Sequence, residues 1–231
     1  MEKIKQHFEA EAREFDQIVQ KLIPYYFQMV ESLVAAIPFA RLEPIDVIDL
    51  GCGTATVGKA IKDAHPCARI TCIDLAHNMI EMARMKLADY ADDICFQVGN
   101  FCDYEFDRTY DVAVSSLALH HLETNEDKKA FYGNIYENLR PGGVFYNADI
   151  VLGSSDYLQD MYLRKWKAFM NREASEEEIE KKWIPKYYEE DRPATLIEQI
   201  AWLREIGFSS VDVVWKYFNF AVYGGQKPKS G

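Results

Sequence analysis

The chain has 231 residues, of which 48% are hydrophobic, and its formal net charge at pH 7 is −11. This length suits one sizeable α/β domain, and the apolar fraction is typical of a chain with a hydrophobic core rather than of a disordered one. The negative charge disfavours duplex nucleic acid as a partner, because phosphate binding needs a basic surface. Small neutral or cationic substrates fit this charge best.

Targeting signals and cysteine spacing give no sign of export. No apolar run approaches the roughly 18 residues that a membrane span needs, and no signal-peptide pattern is present. The five cysteines show neither a C-x-x-C pair nor the spacing of a zinc site, so we expect reduced thiols, most of them filling small spaces in the core. These patterns predict a cytoplasmic protein without a membrane partner.

Residues 2–36 are helical in character and precede the first predicted strand. Apolar side chains recur at helical spacing as far as Leu22, and Pro24 predicts the start of a second helix over residues 25–36. These helices are not needed to build a sheet, so two interpretations stay open. Residues 1–40 pack on the sheet, form a lid over a site, or do both.

A short apolar run at residues 45–50 predicts a buried strand of a parallel sheet. Gly51 and Gly53 then allow a tight turn that brings bare backbone close to a ligand, and a helix begins near Thr54 with its N-terminus towards that ligand. Strand, turn and helix predict a nucleotide-type site. A dinucleotide fingerprint would need a third glycine at position 56, where Thr56 stands, and this disfavours a dehydrogenase.

The second predicted strand, residues 70–74, ends in Asp74, about twenty residues beyond the glycine turn. At that position a carboxylate can accept both ribose hydroxyls of an adenosine. The alternative is an N-cap for the next helix, predicted over residues 76–90. We expect ribose binding, because the residue follows a strand in this type of unit.

The third and fourth predicted strands cover residues 94–98 and 110–116, and the segment after the fourth is expected to line the reacting side of the site. His120 and His121 in that segment raise a catalytic or a metal-binding role. Adjacent residues of a turn point in different directions, and no carboxylate-rich ligand set surrounds them in the sequence. We therefore expect packing or supporting roles, and no metal site.

The second half of the chain predicts a helix at residues 126–139, a stop-and-turn signal at residues 140–143 and a fifth strand at 144–151. Asp149, near the end of that strand, either faces substrate or makes a cap or loop hydrogen bond. Residues 154–191 read as a helical insertion rich in aromatic and charged side chains. A last helix, residues 195–206, and two strands at 211–217 and 218–225 complete the pattern.

Several of these stretches resemble class I S-adenosylmethionine-dependent methyltransferases. The string Asp-Leu-Gly-Cys-Gly-Thr at residues 49–54 resembles their first motif, residues 74–79 are similar to a D-x-S-x-x-M segment with Ala76 in place of serine, and Leu-Arg-Pro-Gly-Gly precedes the fifth strand. The resemblance covers roughly residues 40–226. It implies an α/β, Rossmann-like sheet of seven strands, mostly parallel with an antiparallel last strand, and helices on both faces. With the N-terminal helices and the insertion, this makes a single domain over residues 1–231.

The resemblance also implies that S-adenosylmethionine is the cofactor. In the family an acidic residue and an apolar neighbour after the third strand hold the adenine; here Asn100 and Phe101 stand there, with Asp103 as the alternative for the polar role. An asparagine can still accept a hydrogen bond from an amine through its amide oxygen. The implied cofactor-binding residues are Asp49, Gly51, Cys52, Gly53, Thr54, Asp74, Leu75, Met79, Asn100, Phe101, Ser116 and Leu117.

The predicted reaction is in-line attack of a small-molecule acceptor on the sulfonium methyl group. Alignment of the reactants makes a dedicated base optional; the candidates for one are His120, Tyr26 and His7. The insertion would cover the site, and its aromatic side chains suit an apolar or cationic acceptor. Packing in a homodimer would use the same side chains and stays an alternative.

Two stretches, residues 15–26 and 215–220, are similar to a narrower group, the carboxy-S-adenosylmethionine synthases. Those enzymes use an arginine shortly before the last helix to hold the cofactor carboxylate. The corresponding place here falls near Ile184, with Lys182 and Lys186 as the nearest cations, which favours ordinary methyl transfer. Carboxy-cofactor chemistry and a non-catalytic S-adenosylmethionine-binding protein remain the alternatives.

Overall fold

The computed structural model describes residues 2–12, 14–106 and 108–229. Within them seven strands form one sheet: β1 Asp46–Leu50, β2 Arg69–Asp74, β3 Ile94–Val98, β4 Tyr110–Ser116, β5 Leu139–Ile150, β6 Ser209–Tyr217 and β7 Phe220–Gln226. Their spatial order is β3-β2-β1-β4-β5-β7-β6. The first five strands run parallel, while β7 runs antiparallel to both of its neighbours, so the predicted sheet is confirmed.

The strand order reverses at β1, which pairs with β2 on one side and β4 on the other. In open parallel sheets such a switch point leaves a crevice outside the carboxyl ends of the strands, where ligands bind. The glycine turn after Leu50, the end of β2 at Asp74 and the end of β4 at Ser116 meet at this edge. The topology therefore brings together residues that are distant in the sequence.

Helices cover both faces of the sheet, as predicted, because alternate side chains of each inner strand point to opposite faces. Val47 belongs to one apolar cluster and its neighbour Ile48 to the other. The helices are α1 Glu2–Glu11, α2 Phe15–Leu22, α3 Tyr26–Ala35, α4 Thr56–Ala64, α5 His77–Lys86, α6 Asn125–Glu137, α7 Asp156–Met170, α8 Glu176–Glu178, α9 Ile184–Glu190 and α10 Leu196–Ile206. A π-helical turn, Ile179–Trp183, joins α8 to α9.

Helix boundaries near the N-terminus and after β2 differ from the prediction. The apolar stripe predicted to continue to Leu22 is divided between α1 and α2, with α2 starting at Phe15. The helix predicted as far as Tyr90 ends at Lys86 and gives way to a 3₁₀ segment, Ala88–Asp93. Periodicity alone missed both breaks, because the apolar spacing on either side of each break is still helical.

The predicted stop is confirmed, since α6 ends at Glu137. The turn predicted at residues 140–143 lies instead inside β5, which begins at Leu139 and is irregular here, with Gly142 at φ +85°. Arg140 donates to Asp111 of the neighbouring strand β4 at 2.5 Å and to Asp46 of β1, the strand beyond it, at 2.7 Å. The Gly142 N–H also donates to the Lys227 carbonyl at 2.9 Å. These bonds hold the start of β5 against the sheet, and a sequence pattern cannot reveal them.

All five cysteines are free thiols. Cys52 and Cys72 are buried, whereas Cys67 and Cys95 are exposed, so the expectation that most cysteines fill the core is wrong for the latter two. In the described part of the chain, no helix has both the length and the apolar character needed to cross a bilayer.

Candidate functional site

A cavity of about 740 Å³, partly open to solvent, lies at the carboxyl ends of β1, β2 and β4. We call it the first cavity. That volume includes open solvent at the mouth of the cavity. The lining comes from the glycine turn, the strand ends and the N-terminal helices: Phe8, Phe15, Tyr26, Asp49, Gly51, Cys52, Gly53, Thr54, Thr56, Val57, Asp74, Leu75, Met79, Phe101, Ser116, Leu117, Ala118 and His121.

The glycine turn forms the floor of the first cavity. Gly51 has φ +73°, and a Cβ atom there would lie 2.4 Å from the Cβ of Ala118 and 3.5 Å from the Phe101 ring. Only glycine therefore fits, both for backbone conformation and for space. The Gly51 and Cys52 N–H groups donate to the Ile73 carbonyl at 2.9 Å, which fixes the turn against the end of β2.

Asp74 is held between the two loops that it joins. Its carboxylate accepts from the Gly53 N–H at 2.8 Å and from the Ala76 N–H at 2.9 Å, just before α5 begins. Burial raises the pKa of Asp74 to about 6, although these backbone bonds oppose the shift. Each carboxylate oxygen has a further lone pair, so the bond next to the helix start does not exclude ribose binding. The ribose role stays a prediction.

Two polar atoms on the wall of the first cavity have no hydrogen-bond partner among the described residues: Asp49 Oδ2 and Ser116 Oγ. Asp49 is only 1% exposed. Burial, with the nearby Asp74 charge, raises the pKa of Asp49 to about 7. A buried polar atom without a partner is costly, so both atoms are suited to meet complementary groups of a ligand.

The N-terminal helices close the first cavity from above through Phe8, Phe15 and Tyr26. Asp16 on α2 ties them to the glycine turn: it accepts from Thr54 Oγ1 at 2.5 Å and pairs with Lys86 at 2.7 Å. On α1, the Glu9 carboxylate accepts from the His77 and Asn78 N–H groups at 2.6 and 2.8 Å. These two carboxylates hold both helices over the edge of the sheet.

Eleven of the twelve predicted cofactor-binding residues line the first cavity, and Asn100 does not. The Asn100 amide oxygen accepts from the Cys102 N–H at 3.1 Å, and its amide nitrogen donates to Asp103 at 3.0 Å. The side chain thus caps the short 3₁₀ helix Phe101–Asp103. Its role towards adenine stays a prediction, whereas Phe101 lies beside Gly51 on the cavity wall.

A second cavity of about 780 Å³ adjoins the first, and the two share Phe8, Phe15, Leu117 and His121. Most of its wall is apolar and comes from α2, from the insertion and from β5 and β7: Ile18, Val19, Leu22, Ile23, Ile150, Trp166, Trp183, Tyr187 and Phe220. One end is polar and is formed by His7, His120, His121, Lys186, Glu190 and Asp191. The arrangement suits an apolar molecule with one polar group.

The structure overturns both reasons for setting His120 and His121 aside. Their ring centroids lie 4.1 Å apart, so the rings point to the same side. His120 Nδ1 donates to Asp149 Oδ1 at 2.5 Å, and His120 Nε2 lies 3.4 Å from Asp191 Oδ1. Two carboxylates thus surround this pair, one from β5 and one from the end of the insertion. Asp149 bonds to His120 rather than facing either cavity.

The two histidines carry opposite protonation states. Burial opposes a charge on His120, but Asp149 and Asp191 outweigh it and raise the pKa of His120 to about 10. Burial and the neighbouring His120 charge lower the pKa of His121 to about 3. At neutral pH His120 is therefore a cation and His121 a neutral ring that borders both cavities.

The three candidate bases lie in different places. Tyr26 lines the first cavity, and burial raises the pKa of its hydroxyl. His7 and His120 line the second cavity, where His7 contacts Glu190 at 2.8 Å and also contacts Lys186. Sequence reasoning considered His121 and set it aside, and it did not single out Glu190 or Asp191. These residues come from segments about 70 positions apart in the chain. His121 Nδ1 lies 3.3 Å from the Glu190 carbonyl oxygen.

Comparison with known proteins gives three results. Residues 47–143 match the family model described as a methyltransferase domain. The chain is 24% identical over 221 residues to a carboxy-S-adenosyl-L-methionine synthase of Campylobacter lari, with 90% of this chain and 88% of that protein covered. It is 27% identical to the synthase of the same name from Wolinella succinogenes, with 98% and 96% covered.

Among solved structures, the fold is similar to human N-acetylserotonin methyltransferase in complex with SAM, with a TM-score of 0.63 at 18% identity. The match covers 96% of this chain and 57% of that longer one. These findings and the sheet order confirm the resemblance to class I S-adenosylmethionine-dependent methyltransferases, and with it the partial similarity to carboxy-S-adenosylmethionine synthases. The chain has their fold.

Proposed function

We propose that this protein, with its class I methyltransferase fold, transfers the methyl group of S-adenosylmethionine to a small-molecule acceptor. The observation that carries the proposal is the pair of adjoining cavities at the switch point of the sheet. The first has a glycine floor and buried carboxylates, and the second is apolar with one polar end. The shared wall at Leu117 and His121 is where a methyl group would pass from one to the other.

The residues of the first cavity fit this cofactor. Asp74 would accept the ribose hydroxyls, and the unpartnered Asp49 Oδ2 and Ser116 Oγ would meet the polar methionine portion. Gly51 leaves the floor free of a side chain, with Phe101 beside it to pack against an aromatic base. When bound, the cofactor supplies an electrophilic methyl group on a positively charged sulfur.

The chain itself contributes alignment and exclusion of water. Phe8 and Phe15 lie over both cavities, and the bonds of Asp16 hold α2 in place. Alignment of two reactants can contribute about 7–11 kcal/mol to a rate acceleration, so a strong base is not required. Tyr26 and His120 are both protonated at neutral pH, which disfavours them as bases. The neutral His121 ring is placed to accept a hydrogen bond from the acceptor.

The N-terminal segment and the insertion also have roles in the proposed function. The N-terminal segment, residues 1–40, acts as a lid, and the insertion, residues 154–191, covers the acceptor. Trp166, Trp183 and Tyr187 of the insertion line the second cavity and support this role. A single domain over residues 1–231, a cytoplasmic location and a homodimer stay predictions.

The proposal is tested first by cofactor binding. Calorimetry should detect S-adenosylmethionine binding to the wild-type chain, and Asp74→Asn should weaken it at least about tenfold, because the ribose loses a charged acceptor. Asp92→Asn, an exposed carboxylate after α5, is the matched control and should bind like wild type. Equal affinity in Asp74→Asn and wild type would show that Asp74 does not bind the cofactor.

Turnover is tested with a methyl-labelled cofactor and a panel of apolar acceptors that carry a hydroxyl, thiol or amine. Formation of S-adenosylhomocysteine together with a labelled product supports methyl transfer. Tight cofactor binding without turnover over the whole panel would instead favour a non-catalytic binding protein.

The second candidate function is formation or use of a carboxy-S-adenosylmethionine. It is favoured by the similarity to synthases of that name along 90–98% of this chain. Of the two lysines predicted near the position of the synthases' arginine, Lys186 lines the second cavity and would pair with a cofactor carboxylate. Mass spectrometry of the ligand retained through purification separates the two candidates, since only the carboxylated cofactor carries the extra carboxyl mass.

A further inference from the structure

At the polar end of the second cavity, His121 forms a cluster with His120 and Asp191, two residues to which the proposed methyl transfer assigns no role. His120, His121 and Asp191 each present one donor atom, and these three atoms all lie within 4.8 Å of one another. Both histidines are buried, and the Asp191 side chain is 17% exposed. Such a cluster at a cavity wall is held either by hydrogen bonds among its members or by a cation.

The distances within the cluster favour a cation. Asp191 Oδ1 lies 3.4 Å from His120 Nε2 and 3.5 Å from His121 Nδ1. Charge-assisted hydrogen bonds are shorter, about 2.7–2.9 Å. In a tetrahedral zinc site with bonds of about 2.0–2.1 Å, neighbouring ligand atoms lie about 3.3 Å apart. Two of the three distances thus match the spacing of ligands around an ion, and the third lies within 4.8 Å. To bind an ion, His121 Nδ1 would give up its contact of 3.3 Å with the Glu190 carbonyl.

The surroundings of His120 favour the same interpretation. Its Nδ1 donates to Asp149 Oδ1 at 2.5 Å, which leaves Nε2 directed at Asp191. Asp149 is itself fixed by the His120 backbone N–H at 3.1 Å and by Asn147 at 3.2 Å. Metal-binding histidines usually donate their other ring N–H to a carboxylate, because this orients the ring and makes the ligand more basic. Asp149 is the carboxylate that would play this part for His120.

We propose that His120, His121 and Asp191 bind a divalent transition-metal ion, with Zn²⁺ favoured by the two imidazole nitrogens and one carboxylate oxygen. Three protein ligands leave at least one position of the ion for water or for a bound molecule, as in catalytic zinc sites. All three residues line the second cavity, so a molecule in that cavity would be next to the ion. The expectation of no metal depended on the absence of nearby carboxylates, and that premise is wrong.

Other charged groups face this cluster and compete with an ion. Lys186 and His7 line the same end of the cavity, together with Glu190. Burial opposes ionisation of Asp191, but His120, His121 and Lys186 outweigh it and lower its pKa. Without an ion, a proton on His120 takes the position of the cation. The cluster therefore holds either a metal ion or a proton, and a metal titration distinguishes these two states.

The ion would also narrow the class of acceptor, an extension that rests on the proposed function. His121 borders both cavities, so a molecule bound to the ion reaches the first cavity. A hydroxyl or thiol group is the ligand expected at the open position, because a divalent ion lowers the pKa of such a group and makes it a better nucleophile. Ion binding itself does not depend on this role.

The test uses the full chain without cofactor or acceptor, so its result is independent of the proposed function. Protein freed of metal with a chelator is titrated with Zn²⁺ by calorimetry, and metal content is measured by mass spectrometry after dialysis. We expect one equivalent per chain. Asp191→Asn and His121→Gln should each weaken binding at least about tenfold. Asp160→Asn, an exposed carboxylate on α7, is the matched control and should bind like wild type.

Two further measurements detect ion binding through independent signals. Thermal unfolding should shift upwards with Zn²⁺ in the wild type and in Asp160→Asn only, since an ion that binds the folded state stabilises it. Co²⁺ bound to the wild-type chain should show the visible bands of a four-coordinate nitrogen–oxygen site, so the proposal can be judged even if a variant fails to fold. Substoichiometric metal, unchanged affinity in both variants, or a thiolate band from exposed Cys67 or Cys95 would overturn the proposal.

Discussion

The two cavities of this protein are built in different ways, although they share a wall. The first is formed by short segments that directly follow strands, such as the turn at Gly51 and the end of β2 at Asp74. The second is formed by side chains from α1, α2, the insertion and the last strands. A site defined by the backbone therefore leaves a local sequence pattern, whereas a site made of packed side chains does not.

The largest expected effect is on the floor of the first cavity. Gly51→Ala places a Cβ atom 2.4 Å from Ala118 at a residue with φ +73°. Overpacking of this kind costs about 1–3 kcal/mol, and the left-handed conformation adds about 1–2 kcal/mol. We expect a lower free energy of unfolding and loss of measurable cofactor binding, checked by denaturant titration and calorimetry.

Gly133→Ala is the matched control for that experiment. Gly133 lies in α6, and a Cβ atom added there would have no neighbour within 4 Å among the described residues. Alanine in a helix is favoured over glycine by about 1 kcal/mol, so this variant should be slightly more stable than wild type and bind normally. Equal behaviour of the two variants would contradict the close packing inferred for the glycine turn.

Filling the second cavity should impair binding of the acceptor without affecting binding of the cofactor. Ile18→Trp adds a large side chain to the wall of the second cavity, which Ile18 lines without lining the first. We expect kcat/KM for an accepted substrate to fall at least about tenfold, equivalent to about 1.4 kcal/mol in transition-state binding, with cofactor affinity within twofold of wild type. Ile197→Trp, at a residue 68% exposed, is the control. A matching loss of cofactor affinity would show that the cavities are not independent.

Asp49 should make the stability of the ligand-free protein depend on pH. Its pKa is raised from 3.8 to about 7, mainly by burial, so the folded state binds more protons than the unfolded state between those values. Stability should therefore fall as pH rises from about 4 to 7. Asp49→Asn should reduce this fall by at least about 1 kcal/mol, measured as the unfolding midpoint at several pH values. If the unfolding midpoints of wild type and Asp49→Asn changed with pH in parallel, the raised pKa of Asp49 would be contradicted.

The smallest expected effect concerns the connection between the lid and the glycine turn. Asp16→Asn keeps the shape of the side chain but weakens its bonds to Thr54 and Lys86. Because partly exposed charged pairs contribute about 1 kcal/mol or less, we expect cofactor affinity to fall by only about three- to fivefold in calorimetry. A loss as large as that of Gly51→Ala would mean that Asp16 contacts the cofactor directly.

Local patterns placed the glycine turn and Asp74 at a ligand site, and the resemblance to methyltransferases added Asp49 and most other predicted residues of the first cavity. Asp49, Gly51 and Asp74 all lie on its wall, because a strand followed by a glycine turn can be built in few ways at the edge of a parallel sheet. Asn100 differs, since its amide caps the next turn instead of facing the cavity. Residue type alone does not decide between a local and a ligand hydrogen bond.

The chain's local patterns predicted where the strands lie and where the glycine turn forms, because hydrophobic periodicity and glycine act over a few neighbouring residues. The order of seven strands with an antiparallel end came from the resemblance to methyltransferases, and the structure confirms it. Only the tertiary structure decided that His120 and His121 face Asp191 across 70 positions, with Asp149 behind them. It also decided that Arg140 of β5 pairs with Asp111 of β4 and with Asp46 of β1. Contacts of this kind depend on where chain segments meet in space, and no spacing along the chain records that.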